Sequence, residues 1–492
     1  MFRADQLTVV LGGPGAGKTE RLIEIVREEL AAGVPPDRIA YVAFTRAAAE
    51  TAKARAADAF GLDPRADLPW FRTIHSLAYY AMGITQGEVM TPRDWEKFGK
   101  TIGERLSGAR VELEEITQRM HRAQGDVLLG LVDYAATTCQ TLDEARRETG
   151  VAADLWHLTH FKDSLDAYKR QFGKVTFTDL LLMYPEQGSP PPITVAIIDE
   201  AQDLTQAQWR MVEWAFQGAE RVYAGGDDDQ AIYRWAGADV EYFLDLPGRK
   251  QSLPRSHRLP QPVYEIAQRI ANRIRHRYAK DYAPAQHSGD VVRARDLNDL
   301  DLTQEGSWML LARNSYLLRR YKEFLESNGF PYRTVAGNSV KKEHYAAISS
   351  WNRMKAGERL PAEEVRHLGT MLGMPKLSLR ETQLYTKEDF YHWPWPKTWQ
   401  EAFAALSYRT KMYYQWIMDR GENVLNPRFY LGTIHSVKGD EADHVVLQRD
   451  VSSSTMDNIN SDHEHRVFYV GVTRARRTLN ILAPQTLKAY HV

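Results

Sequence analysis

The sequence predicts an α/β chain in which parallel sheets flanked by helices are interrupted by mostly helical insertions. Three observations predict it. A β-rich run, Leu7–Leu11, meets a glycine-rich turn, "GGPGAGKT", and then apolar residues Ile23, Ile25 and Val26 at helical spacing. A wholly apolar run, Val195–Ile198, ends abruptly in Asp199 and Glu200. Strands buried on both faces read as such unbroken runs, and ligands of open parallel sheets bind beyond their carboxyl ends. Thirdly, residues from about 85 to 170 are rich in helix formers and carry no strand signal.

Bulk properties bound the rest. A chain of 492 residues exceeds what one hydrophobic core sustains, so about three or four domains or subdomains are expected. An apolar content of 43% with 26% charged residues excludes disordered and fibrous classes. No apolar run reaches the roughly 18 residues of a membrane span, and the N-terminus is interrupted by glycine too early for a secretory signal. A cytoplasmic setting without membrane association is expected. The single cysteine, Cys139, falls in a predicted helix and reads as an inert small residue. Basic and acidic residues balance at 63 and 64, so only their distribution can reveal a polyanionic partner. Arg269, Arg273 and Arg277 recur every four residues beside Ile266, Ile270 and Ile274, which predicts one amphipathic helix with an arginine stripe. A solvated face is the preferred explanation of that stripe, ahead of a nucleic-acid surface.

The first element carries specific chemistry. Gly12 to Thr19 match G-x-x-x-x-G-K-[ST] in the required strand, loop and helix context. Gly12, Gly15 and Gly17 let backbone N–H groups turn toward phosphate oxygens, and the following helix adds the positive end of its dipole. Lys18 is expected to reach the β and γ phosphates of ATP, and the Thr19 hydroxyl to ligate Mg²⁺. The second run answers the first: Val195–Ile198 is expected in the same parallel sheet, placing Asp199 on Mg²⁺ and Glu200 where it can deprotonate water. Between Thr19 and Asp199 lie far more residues than a compact nucleotide core needs, hence the helical insertion. A second inserted region, about 345 to 425, contains "FYHWPWPKTWQEAF"; Pro394 and Pro396 forbid a continuous helix, so its three tryptophans are expected to pack in an irregular turn.

Further motifs make the chain recognisable. "DEAQD", "YAGGDDDQAIYRWAGA" at 223–238, "GTIHSVKGDEADHVVL" at 432–447 and "FYVGVTRAR" at 468–476 follow the phosphate loop in order. Together they resemble the superfamily 1A DNA helicases of the UvrD, Rep and PcrA type, in a compact version with shortened insertions. The resemblance implies two RecA-like P-loop NTPase domains with ATP between them and single-stranded or tailed duplex DNA as partner. It implies the first motor domain at 1–84 and 173–250, a helical insertion at 85–172, the second motor domain at 251–344 and 426–492, and a reduced insertion at 345–425. By motif, Gln230 resembles the γ-phosphate sensor, Arg258 and Arg474 the arginines contributed by the second domain, and Glu441 the acid on the ribose. Tyr233, Trp235 and Phe44 match aromatics that stack on bases, an interaction worth about 1–3 kcal/mol per base and indifferent to sequence. His75, Thr433, His435 and Ser436, in two Thr-x-His-Ser groups, match contacts to the strand.

The chain also departs from the pattern. His257 stands where relatives carry tyrosine, Glu20 where arginine is frequent, Ala236 for arginine and Arg46 for asparagine. With eleven residues ahead of Gly12 there is no counterpart to an upstream glutamine segment, and weaker adenine discrimination is expected. The implied function is an ATP-dependent 3′ to 5′ helicase or translocase, acting as a monomer, in which closure of the domains drives hydrolysis. The inserted subdomains are the candidate surface for a protein partner. The alternative is a nucleotide-gated DNA-binding subunit working through a partner nuclease or replication protein. A small-molecule phosphotransferase would share only the phosphate loop.

Overall fold

The structure is a computed structural model that describes residues 2–106 and 124–492. The chain divides into two compact units: Met1–Leu259 with Gln268–His287 and Asn460–Tyr469, and Pro260–Ala267 with Ser288–Ile459 and Val470–Val492. This division differs from the expected boundary at 250/251, because residues 251–259 and 268–287 pack with the first unit.

The first unit is built on six strands, β1 (Leu7–Leu11), β2 (Ile39–Ala43), β3 (Phe71–Thr73), β4 (Val195–Ile198), β5 (Arg221–Gly226) and β6 (Arg249–Ser252), in the order β3-β2-β4-β5-β1-β6. Every pairing is parallel. β1 and β4 share this sheet, with β5 between them. Alternate residues of one strand feed opposite cores: Leu11, Val42 and Ile198 pack toward the helices Ile74–Ala81 and Gln206–Ala215, whereas Val10, Tyr41 and Ile197 pack toward Lys18–Ala31 and Arg46–Phe60. That double burial is why β2 and β4 are apolar throughout. It also sets the site, since all six carboxyl ends emerge on one edge.

The first insertion forms helices Pro92–Ile102, Gln124–Thr137, Leu142–Thr149 and Leu155–Phe172 around a core that includes Phe98, Leu131, Leu158 and Phe161. Thr91 and Thr141 start two of these helices with reciprocal capping boxes to Asp94 and Glu144. Residues 107–123 of the predicted helical stretch lie outside the described residues. Cys139 is not helical as expected. The helix ends at Thr137, and Cys139 turns the chain with φ 55°. Burial pushes its thiol pKa up, which keeps it protonated and inert.

The arginine stripe is likewise not one helical face. The helix Gln261–Ala271 stops before Arg273, and the chain turns so that Arg277 pairs with both oxygens of Asp229, at 2.7 and 2.5 Å. A buried carboxylate needing a cation outweighs the continuation of a helix.

The second unit contains β7 (Asp290–Ala294), β8 (Trp308–Ala312), β9 (Tyr332–Thr334), β10 (Gly337–Asn338), β13 (Phe429–Thr433), β14 (Ala442–Leu447) and β15 (Ala475–Leu482), ordered β10-β9-β13-β8-β14-β15-β7. Within this sheet, among the described residues, only the β9–β10 pair is antiparallel. A separate core, from Val340 to Val424, surrounds the small sheet of β11 (Leu360–Pro361) and β12 (Leu384–Tyr385). The Trp-Pro stretch is irregular: Trp393 and Trp395 meet edge to face at 4.8 Å, and the buried Trp399 begins a helix of one turn, Trp399–Ala402. Among the described residues no helix is long and apolar enough to cross a membrane.

Candidate active site

The turn after β1 is shaped for anions. Gly17, at φ 77°, caps helix Lys18–Ala31 without any side-chain hydrogen bond, so the helix's first N–H groups face outward unclaimed by a cap. Gly15 has φ 66°, and a β-carbon there would fall 2.3 Å from the Arg258 Cβ; one at Gly13 would fall 2.6 Å from the Tyr282 ring, and one at Gly12 2.6 Å from Lys18 Cγ. The loop is braced from the segment after β6: His257 N–H donates to the Gly15 carbonyl at 2.8 Å and the Ser256 hydroxyl to the Pro14 carbonyl at 2.7 Å. Arg258 therefore stands beside the loop as part of the first unit, not as a residue contributed by the second. The Lys18 ammonium lies 3.3 Å from the Gly12 carbonyl oxygen.

β4 delivers the acids. Asp199 is 2% exposed and accepts from the Thr19 hydroxyl at 3.1 Å and from the Tyr41 hydroxyl at 2.7 Å. Burial, joined by the charge of Glu200, pushes its pKa up to about 6 despite the Tyr41 hydrogen bond. Two hard oxygens side by side, one of them on a buried carboxylate, fit Mg²⁺. Glu200 adopts φ 53°, a left-handed backbone uncommon outside glycine, and its N–H donates to Asp199 at 2.9 Å. That conformation lifts its carboxylate off the strand axis to meet the Gln202 amide, which donates at 2.6 Å.

β5 brings a third group. Gln230 donates to Asp227 at 2.6 Å, and the Asp227 N–H donates to Gln202 Oε1 at 3.0 Å. Asp227, Asp228 and Asp229 are all fully buried and share one ammonium, that of Lys280, whose side chain is 2% exposed. Tyr41, Gln202, Lys280 and Tyr282 are absent from the motif-based assignment. Gln202 could have been noticed as an amide between acids in "DEAQD"; nothing in the order of the chain ties Lys280 to residues some fifty positions earlier.

The aromatics gather on the same edge. Phe44, at the end of β2, stacks on Tyr233 at 5.6 Å and 12°, and Tyr233 meets Trp235 edge to face at 6.0 Å. Trp235 lines a cavity of about 460 Å³ together with His75 and Phe177, whose rings meet edge to face at 6.2 Å.

In the second unit the assigned residues fall at opposite edges of the sheet. Thr433, His435 and Ser436 follow the carboxyl end of β13, where the Thr433 hydroxyl accepts from Ser436 N–H at 3.3 Å. Thr73 and Ser76 make the same bond at 3.3 Å, so each Thr-x-His-Ser group is partly a cap for its own turn. Glu441 and Arg474 precede the amino ends of β14 and β15. Glu441 pairs with Arg476 at 3.0 Å; Arg474 is 1% exposed and donates to the carbonyls of Val470 and Asp440, each at 3.0 Å.

Residues 3–251 match the UvrD/REP helicase N-terminal domain, and residues 428–482 the UvrD-like helicase C-terminal domain. The chain belongs to the UvrD/REP helicase family. Its two largely parallel sheets are accordingly of the RecA-like, P-loop kind. The chain is similar to the ATP-dependent DNA helicase PcrA of Staphylococcus epidermidis, 23% identical over 305 residues that cover 58% of this chain and 40% of that protein. PcrA of Leuconostoc citreum is 24% identical over 416 residues, 73% of this chain and 53% of its own length. The putative ATP-dependent DNA helicase YjcD of Bacillus subtilis is 25% identical over 299 residues, 56% and 38% of the two chains. The matched part thus spans from about two fifths to about half of these relatives.

Proposed function

We propose that the chain is an ATP-driven DNA motor, an ATP-dependent helicase or single-stranded DNA translocase that moves 3′ to 5′. The observation that carries this reading is a single turn: Gln230, hydrogen-bonded to Asp227 at the nucleotide edge, lies three residues before Tyr233, which stacks on Phe44. A change at the γ-phosphate sensor is thereby transmitted to the base-stacking ladder with little slack. Family membership and the relatives' names support the same reading.

In this mechanism the loop from Gly12 to Lys18 holds the triphosphate of ATP. Thr19 and Asp199 would hold Mg²⁺, which would supply charge neutralisation for phosphoryl transfer. Glu200 orients water and accepts its proton, and Gln230 registers the γ-phosphate. Arg258 stands at the loop to stabilise the leaving charge. Arg474 and Glu441 of the second unit are proposed to reach the γ-phosphate and the ribose when hydrolysis is coupled to closure. Phe44, Tyr233 and Trp235 stack on bases, the cavity beside His75 has room for one, and Thr433, His435 and Ser436 hold the backbone. The motor is proposed to act as a cytoplasmic monomer, with the insertions at 85–172 and 345–425 as docking surfaces for a protein partner.

The test is ATP hydrolysis and strand separation measured on single-stranded, 3′-tailed, 5′-tailed and blunt DNA. Stimulation by single strands with unwinding of the 3′-tailed substrate is expected. Hydrolysis indifferent to DNA would end this reading, and preference for the 5′ tail would reverse the polarity.

A further inference from the structure

We propose that Lys280 is a positioning residue for hydrolysis, holding the γ-phosphate sensor Gln230 and the base Glu200 in register through Asp227 and Gln202. The inference rests on the hydrolytic roles proposed above for those two residues.

Three consecutive buried carboxylates demand cations, and neutralisation alone would explain Lys280. The neighbours argue for more. Asp229 already has both oxygens on Arg277. Asp228 shares the Lys280 ammonium, at 2.5 Å, and its carboxylate also accepts from the Tyr278 N–H at 3.0 Å. Asp227 has Lys280 as its ion-pair partner, at 3.0 Å, and spends its remaining capacity on Gln230 at 2.6 Å and the Asp229 N–H at 3.2 Å. Burial alone would raise the Asp227 pKa, yet Lys280 and, behind it, Lys18 hold it below the ordinary value, so Asp227 stays a strong acceptor for the Gln230 amide.

The same residue reaches the base. With its Oε1 taken by the Asp227 N–H at 3.0 Å, Gln202 must turn its NH₂ away, and that NH₂ donates to Glu200 at 2.6 Å and to Asp203 at 3.1 Å. Lys280 thus fixes the Asp227 carboxylate, which holds Gln230 directly, while Glu200 is reached one step further on, through the Asp227 main-chain N–H and Gln202. Without the ammonium, the Asp227 carboxylate loses its ion-pair partner and must move or take a proton; either event loosens Gln230 directly, and a shift of the Asp227 main chain that follows displaces Gln202 and with it Glu200.

The experiment uses the full chain and compares Lys280→Met, Lys280→Arg, Gln202→Met and the double variant Lys280→Met/Asp228→Asn. The readouts are single-strand-stimulated kcat and the Kd of a fluorescent ATP analogue with Mg²⁺. Misplacement of reacting groups costs on the order of a hundredfold, so Lys280→Met and Gln202→Met should lose roughly that in kcat while Kd shifts less than about threefold. Lys280→Arg should recover part of the rate. The double variant restores the cluster's net charge without the bond to Asp227; it should fold and stay slow. Parental kcat in Lys280→Met or in the double variant overturns the proposal, as does Kd rising in step with the loss of kcat. Failure of both Lys280→Met chains to fold also overturns it, making Lys280 purely structural. Absence of stimulated hydrolysis in the unaltered chain would count against the proposed function instead.

Discussion

Lys18 and Glu200 sit within one pocket but govern different steps. Lys18→Ala removes the cation that compensates phosphate charge, so nucleotide binding and turnover should fall together. Glu200→Gln keeps the Gln202 bond within reach but cannot take a proton; kcat should drop by roughly two to four orders of magnitude with Kd for the nucleotide nearly unchanged. Equilibrium binding of a fluorescent ATP analogue beside steady-state hydrolysis distinguishes the two, and normal turnover in Glu200→Gln would remove it from the mechanism. At this scale the sequence was largely legible. Gly12, Gly17, Lys18 and Thr19 declare themselves because a phosphate cradle is built from consecutive backbone groups, and Asp199 because an apolar strand ends on it. Arg258 was legible as a residue of the site yet not as a neighbour of Gly15, since the bonds from Ser256 and His257 to the loop join segments 242 residues apart.

Helix Gln206–Ala215 shows how an element can matter to the site without touching substrate. Thr205 caps it by accepting from the Gln208 N–H, Gln208 returns the bond to Thr205 N–H, and Trp209 and Met211 enter the core beneath β4. Thr205→Ala should destabilise the first unit by about 1 kcal/mol, read as a lower denaturant midpoint, while stimulated kcat per folded molecule stays near the parental value. A loss of kcat at full folding would instead mean that this helix sets the "DEAQD" turn. Elements were legible where helical periodicity followed directly on a recognisable turn, as in Lys18–Ala31. They were misjudged where a tertiary demand cut periodicity short: isoleucine spacing continues past Ala271, but Arg277 is claimed by Asp229, and the turn at Cys139 carries no glycine to announce it.

The molecule as a whole has two compact units with separate cores, a construction that seldom unfolds in one step. Calorimetry is expected to resolve more than one transition. A non-hydrolysable ATP analogue with Mg²⁺, at a hundredfold excess over its Kd, should stabilise the transition of the first unit by about 2.7 kcal/mol, because the phosphate loop, Asp199 and Gln230 all lie in it. An equal shift of every transition would place the principal nucleotide contacts elsewhere.

Chain order alone is enough for the parts of the proposed motor: the glycine turn, the acids ending β4, the proposed sensor, the aromatics and the insertions are each encoded within short stretches, where backbone geometry and side-chain type act directly. Folding supplies the pairings among those parts. Lys280 meets Asp228 across 52 positions, Tyr41 meets Asp199 across 158, and Phe44 stacks on Tyr233 from another strand. Such partners are selected by burial and charge compensation in three dimensions, which leave no spacing in the sequence to read.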